Sequence, residues 1–119
     1  MTAMRLLHLN AGNLYGGIET MLVTVARSRG EAPELEQRFV LCFPGRLAEE
    51  LAAAGAPPAM LGPARASRPW TVWRARRALR ALLERERPDA VACHGSWSLG
   101  LFGPVVRAAR ARLVLWAHS

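Results

Sequence analysis

Strand-length apolar runs alternate with helix-length amphipathic segments along this whole chain, and few folds accept that order. The first step is the clearest. Met4 to Leu9 is a short apolar run, and Ile18, Met21, Leu22, Val25 and Ala26 follow at the i, i+3, i+4, i+7, i+8 spacing of one buried helix face. Between them lies Asn10-Ala11-Gly12-Asn13-Leu14-Tyr15-Gly16-Gly17. A glycine pair where a strand passes into a helix lets the backbone turn without a Cβ clash. It also leaves bare N–H groups at the positive end of the helix, where anions bind. Taken alone, the loop reads equally as a phosphate-holding turn and as a tight turn that only permits helix–strand packing.

The same alternation continues. The first helix is expected over about 17–29, with Gly30 closing it. A second strand is expected over 37–43, a short helix over 46–54 ended by Gly55, and a weak third strand over 59–61. A polar connector, 62–69, leads to a longer helix from Trp70 to about Arg87, which Pro88 stops. Asp89 to Cys93 reads as the fourth strand. The next helix, about 97–109, is expected to bend or restart at Pro104, with Ser96 as its N-cap. Arg112 to Trp116 is the fifth strand. Strands of this buried type, alternating with helices, imply right-handed crossovers. The expected fold is therefore α/β: a Rossmann-like parallel sheet of about five strands with helices on both faces. Ligands of such sheets bind at the carboxyl ends of the strands. The loops at 10–17, 44–46, 62–69, 94–97 and 117–119 fall there, and with them His94 and His118.

At 119 residues the chain is one domain or part of one. No apolar run approaches the roughly 20 residues that span a bilayer. The start, Met1-Thr2-Ala3-Met4-Arg5, lacks the layout of a secretory signal, so a cytoplasmic location is expected. Cys42 and Cys93 each lie in an apolar strand and have no metal-ligand spacing, which favours two buried thiols over a disulfide. All 16 basic residues are arginine, and the net charge is +7. That balance favours anionic partners.

Several nucleotide sites are excluded. Gly12, Gly16 and Gly17 do not fit G-x-G-x-x-G, and the second strand ends in Cys42-Phe43-Pro44 with no acidic residue for a ribose. A Walker loop needs a lysine, and there is none. Asp89 is the only aspartate, so no acidic cluster offers a metal site or a receiver-type phosphorylation site.

The order of motifs resembles the N-terminal domain of a glycosyltransferase of family 4, with a GT-B fold. Met4-Arg5-Leu6-Leu7-His8-Leu9 resembles the family's opening strand, and Gly16-Gly17-Ile18-Glu19 its Gly-Gly-x-Glu loop. Leu47 to Gly55 is similar to the helix before the third strand. Arg87-Pro88-Asp89-Ala90-Val91-Ala92-Cys93-His94 resembles its Arg-Pro-Asp segment, and Leu113-Val114-Leu115-Trp116-Ala117-His118 its strand ending in histidine. The resemblance implies a retaining transfer of a sugar from a nucleotide-diphosphate sugar to a hydroxyl acceptor, with no metal and no cofactor. It implies Gly16 and Gly17 as donor-phosphate ligands and His118 as the catalytic histidine near the donor sugar. His94, Trp97 and Asn13 are the candidate acceptor contacts. In this family a second domain supplies most nucleotide-sugar contacts, and nothing in these residues corresponds to it. The expectation is thus an incomplete first domain, inactive alone.

Two departures stand out. Ala92 or Cys93 replaces the first histidine of the Arg-Pro-Asp segment, and the usual Gly-His entry to the second strand is absent. His8 is expected to be a satisfied core or edge histidine, Glu19 to favour the helix dipole, and Asn10 to shape the turn. Arg74, Arg76, Arg77, Arg80, Arg85 and Arg87, with Trp70 and Trp73, could contact an anionic membrane from the cytoplasmic side, or form a solvated helix face. Nucleic-acid binding has no motif behind it. The competing reading is a non-catalytic nucleotide- or phosphate-binding α/β module.

Overall fold

A computed structural model describes residues 4–13, 16–31, 34–109 and 112–116. In chain order the elements are β1 (Met4–Asn10), α1 (Gly17–Ser28), a 3-10 turn (Arg29–Glu31), β2 (Leu35–Leu41) and α2 (Arg46–Ala53). β3 (Ala59–Met60), α3 (Pro69–Glu86), β4 (Ala90–His94), α4 (Ser96–Ala108) and β5 (Arg112–Trp116) follow. All five strands are parallel, in the order β3-β2-β1-β4-β5. This is the expected Rossmann-like sheet.

Alternation along the strands divides the core in two. Leu7 and Leu9 of β1, Val40 of β2 and Val91 and Cys93 of β4 pack with Ala75, Leu79, Leu82 and Leu83 of α3 and Phe102, Val105 and Val106 of α4. Phe39 and Leu41 point the other way, onto Leu22, Val23 and Ala26 of α1 and Leu47 and Leu51 of α2. Helices thus cover both faces. β4 is buried along its whole length, and β1 and β2 are buried towards their carboxyl ends.

The backbone between β1 and β4 is tied at its amino end. Arg5 N–H donates to Asp89 Oδ2 at 2.7 Å, and Asp89 N–H donates to the Arg5 carbonyl at 2.9 Å. The one aspartate is therefore a strand-pairing device, far from the carboxyl edge.

Three local expectations change. β2 starts and ends two residues earlier than its apolar run, because Leu35 and Glu36 extend the ladder with Met4 and Arg5. α4 does not restart at Pro104; it runs as one helix. Phe102, Val105 and Val106, all buried on either side of the proline, hold the segment against the sheet. Ser96 is the first helical residue and not the N-cap, which is Gly95 at φ 93°. No helix among the described residues is long and apolar enough to cross a membrane.

Candidate functional site

The strand order places a topological switch point between β1 and β4. The chain winds outward from β1 through β2 to β3, then crosses back over β1 to lay down β4 and β5. Helices α1 and α4 leave β1 and β4 on opposite faces, so the loops following these strands diverge and open a crevice. Asn10–Gly17 and His94–Trp97 are those two loops.

The glycines of the first loop do different work. Gly12 has φ +87°, and a Cβ there would stand 2.9 Å from the Phe43 carbonyl oxygen, so the fold demands glycine. Asn10 Oδ1 accepts the Gly12 N–H at 2.9 Å, shaping the turn as expected. Neither Gly16 nor Gly17 has a positive φ. A Cβ at Gly17 would meet nothing within 4 Å, and one at Gly16 only Glu19 Oε1 at 3.7 Å. Both are exposed. The packing explanation therefore belongs to Gly12; among the described residues nothing crowds a side chain at Gly16 or Gly17.

Glu19 does more than face the helix dipole. Its Oε1 accepts the Gly16 N–H at 2.8 Å, the reach of an N3 glutamate back to the N-cap. Its Oε2 accepts a longer bond from Asn10 Nδ2 at 3.4 Å. One buried carboxylate thereby ties the end of β1 to the start of α1 across the loop. The Gly16 N–H, read from sequence as a phosphate donor, is occupied by this carboxylate. The N–H groups of Gly17 and Ile18 have no hydrogen-bond partner among the described residues.

Beside this loop lies a buried polar row. His8, 2 % exposed, and His94, 3 % exposed, are linked from His8 Nδ1 to His94 Nε2 at 2.9 Å. His8 Nε2 lies 2.8 Å from Gln37 Oε1 on β2, and its ring stacks on Phe39. Burial lowers the His8 pKa from its ordinary value, partly offset by the Gln37 bond. His8 is thus the satisfied core histidine that the strand pattern implies. Its pairing with His94 has no signature in the sequence, because the partners are 86 positions apart.

On the α4 side of the edge stands an aromatic group. The Trp97 ring lies 6.1 Å from Phe43 and 6.2 Å from Phe102, centroid to centroid. The Arg65 guanidinium sits 5.1 Å over Phe43. Trp97 keeps 39 % of its surface exposed. Phe43 is an edge residue that sequence reasoning missed, since it reads there only as the end of an apolar strand; Arg65 lies in the 62–69 connector expected at this edge. The connector carrying Arg65 is shaped by Thr71, whose Oγ1 accepts the Arg65 N–H at 2.9 Å and lies 2.7 Å from the Arg68 carbonyl oxygen, to which it donates.

The candidate residues thus divide. Gly16, Gly17 and Asn13 are exposed on the first loop, Trp97 is half-exposed on the second, and His94 is buried beneath them. His118 lies outside the described residues. A cleft of about 1070 Å³ lies beside Leu35–Val40 and Pro57-Pro58, and none of these candidate residues lines it. No group of three or more potential metal ligands occurs among the described residues. Both cysteines are free and buried; burial raises their thiols to about 12 for Cys42 and about 11 for Cys93.

Solved structures share this architecture at low identity. A glycosyltransferase from Rickettsia africae matches with a TM-score of 0.73 and 14 % identity, over 97 % of this chain and 30 % of its own length. Anabaena HepE, solved with UDP and glucose, matches at 0.70 and 16 %, over 98 % of this chain and 30 % of its own. A putative UDP-N-acetylglucosamine 2-epimerase from Listeria monocytogenes matches at 0.65 and 14 %, over 96 % and 30 %. The chain spans about a third of the length of such structures. Among curated protein sequences there is no significant match. The family model described as Glycosyltransferase Family 4 matches residues 15–119, nearly the whole chain, and with the sheet order, the glycine loop and the paired edge loops in place, this protein belongs to that family.

Proposed function

We propose that this chain forms the acceptor-side part of a retaining glycosyltransferase that takes its sugar from a nucleotide-diphosphate donor, and that these residues have no transferase activity without a donor-binding domain. The observation that carries the reading is the exposed Gly16-Gly17 pair. Among the described residues nothing crowds either position, and the pair opens a helix beside the switch point. Two bare positions there let a molecule approach the backbone N–H groups closely. HepE, which holds UDP in its crystals, makes a nucleoside diphosphate the natural candidate.

In sugar transfer, negative charge grows on the departing diphosphate as the sugar becomes oxocarbenium-like. Donors fixed beforehand towards that charge lower the barrier without reorganising. With Glu19 holding Gly16, the N–H groups of Gly17 and Ile18 at the head of α1 take this role. The acceptor lies across the crevice, against Trp97 and Asn13, with the Trp97 face as a platform for a sugar ring. His118 is assigned to the donor sugar through its motif. No metal step is required by this scheme.

Titration of UDP into the isotope-labelled chain tests the phosphate assignment. The amide signals of Gly17 and Ile18 should move most. If they stay fixed at millimolar UDP while amides elsewhere respond, the loop is not the phosphate site.

A specific observation also favours contact with an anionic membrane. Trp70 and Trp73 are 62 % and 63 % exposed on α3, and the Arg77 guanidinium lies 5.4 Å over the Trp73 ring. Exposed indole beside arginine suits the headgroup layer at the inner face of a cell membrane. Reversing Arg74, Arg77 and Arg80 to glutamate should abolish co-sedimentation with phosphatidylglycerol vesicles; unchanged sedimentation discards the contact.

A further inference from the structure

Phe43 is where the carboxyl edge converges. Its N–H donates to the Ala11 carbonyl of the glycine loop at 2.9 Å, and its own carbonyl is the oxygen that excludes a Cβ at Gly12. The Trp97 ring lies 6.1 Å from the Phe43 ring, and the Arg65 guanidinium sits 5.1 Å over it. Arg65 and Trp97 therefore meet one ring, although the first precedes α3 and the second belongs to the first turn of α4.

The backbone of Arg65 is held on both sides. Ala64, 1 % exposed, seats the connector in the core. The buried Thr71 hydroxyl accepts the Arg65 N–H at 2.9 Å, and the Arg65 carbonyl accepts the Arg68 N–H at 2.9 Å, closing a turn. The side chain, in contrast, points its charge to solvent at the ligand edge. A guanidinium set over a ring engages that ring through its charge and keeps its N–H groups for acceptors. Among the described residues no carboxylate stands within ion-pair distance of Arg65. The ion pairs present join Arg5 and Arg38 to Glu36, and Arg46 to Glu50, while Glu19 is held by Gly16 and Asn10. A second guanidinium adds to the charge of the connector: Arg74 reaches back to the Pro63 carbonyl at 3.5 Å.

We infer that Arg65 is a specificity-determining residue that selects a negatively charged acceptor, a sugar or polyol bearing a phosphate or carboxylate. The anionic group pairs with the guanidinium while the ring or polyol lies on Trp97, across Phe43. The fork of N–H donors on arginine matches the paired oxygens of both groups. A neutral acceptor leaves Arg65 without a partner, so the charge separates acceptors that a tryptophan platform alone would treat alike. The inference rests on the transferase reading, which places the acceptor against Trp97.

Side-chain 1H–15N spectra of the full chain at pH 7.5 follow the Arg65 Nε–H and the Trp97 indole N–H during titration. Glucose 6-phosphate and glucuronate should move both signals at concentrations about tenfold lower than glucose, the worth of one charge-assisted pair. Bicelles containing phosphatidylglycerol distinguish a lipid headgroup from a free acceptor. Both signals moving together in bicelles, and not with the free compounds, assigns the anion to a lipid; the converse assigns it to a soluble acceptor, and either supports the site. Arg65→Met keeps an aliphatic cover over Phe43 and should erase the preference for charge while leaving the response to glucose. Arg65→Lys should restore part of it. Equal affinity for charged and neutral compounds, no response of Arg65 to any anion, or an unchanged preference in Arg65→Met would overturn the inference. So would an Arg65→Met variant that weakens UDP as much as glucose 6-phosphate, since Arg65 would then serve the donor. UDP moving Gly17 and Ile18 while no anion reaches Arg65 sinks this inference alone. Anions reaching Arg65 while UDP leaves Gly17 and Ile18 unmoved sinks the phosphate assignment alone.

Discussion

Glu19 Oε1 holds the Gly16 N–H at 2.8 Å, so the helix that opens the candidate phosphate site is capped from within by its own third residue. The same carboxylate accepts from Asn10 Nδ2, which makes it the tie between the two ends of the glycine loop. Glu19→Ala should lower the stability of the chain by about 1–2 kcal/mol, the worth of a charge-assisted cap in a buried setting. Glu19→Gln keeps an acceptor oxygen and should recover part of the loss. Urea unfolding followed by tryptophan fluorescence measures both; an equal loss in the two variants would point to the charge and not to the hydrogen bond.

Gly12 and Gly17 separate the two meanings of a glycine loop. Gly12→Ala should destabilise by about 1–3 kcal/mol, because its φ of +87° is strained for alanine and the Phe43 carbonyl stands where the Cβ must go. Gly17→Ala meets open space at the head of a helix and should change stability by no more than about 0.5 kcal/mol. It should nonetheless weaken UDP binding measurably. Unaltered binding by a folded Gly17→Ala variant removes the phosphate role from this position.

Stability should fall on the acid side of pH 6.5. The folded-state pKa of His8 lies below its ordinary 6.5, so the folded chain resists a proton that the unfolded chain accepts. Its contribution is complete above 6.5 and is lost as the pH falls below that value. Urea midpoints at pH 7.5, 6.0 and 5.0 should decrease in that order. Substituting His8→Phe, which keeps the stacking on Phe39, should flatten the slope.

The cysteines bound the alkaline side with the opposite sign. Their folded-state values, about 12 for Cys42 and about 11 for Cys93, stand above the ordinary 9.0. Stability from these neutral buried thiols is complete below pH 9 and is lost as the pH rises from there through 11–12. At pH 8 both should react with a thiol reagent only as fast as the chain opens, and at once in denaturant. Rapid native-state labelling of either would contradict their burial.

Local order was legible in the chain. The helices start and stop within a residue or two of their expected bounds, with Gly55 and Pro88 just past the ends of α2 and α3, because capping and ring constraints act over a few bonds. The buried faces of α1 and α3 follow their apolar spacing for the same reason. The glycine loop was legible as a junction but not as a division of labour. Gly12 is confined by the carbonyl of Phe43, and that contact exists only once β2 lies beside β1.

What the sequence determined by itself was the type and order of the elements, and a family likeness carried by short motifs. Tertiary structure decided which strands are neighbours. The step from β3 over β1 to β4 sets His8 against His94 and opens the crevice between their loops. No local preference encodes that step. It follows from right-handed crossovers and from burying two separate apolar helix pairs on the two faces of one sheet. Those are long-range terms, realised only when the whole sheet is assembled.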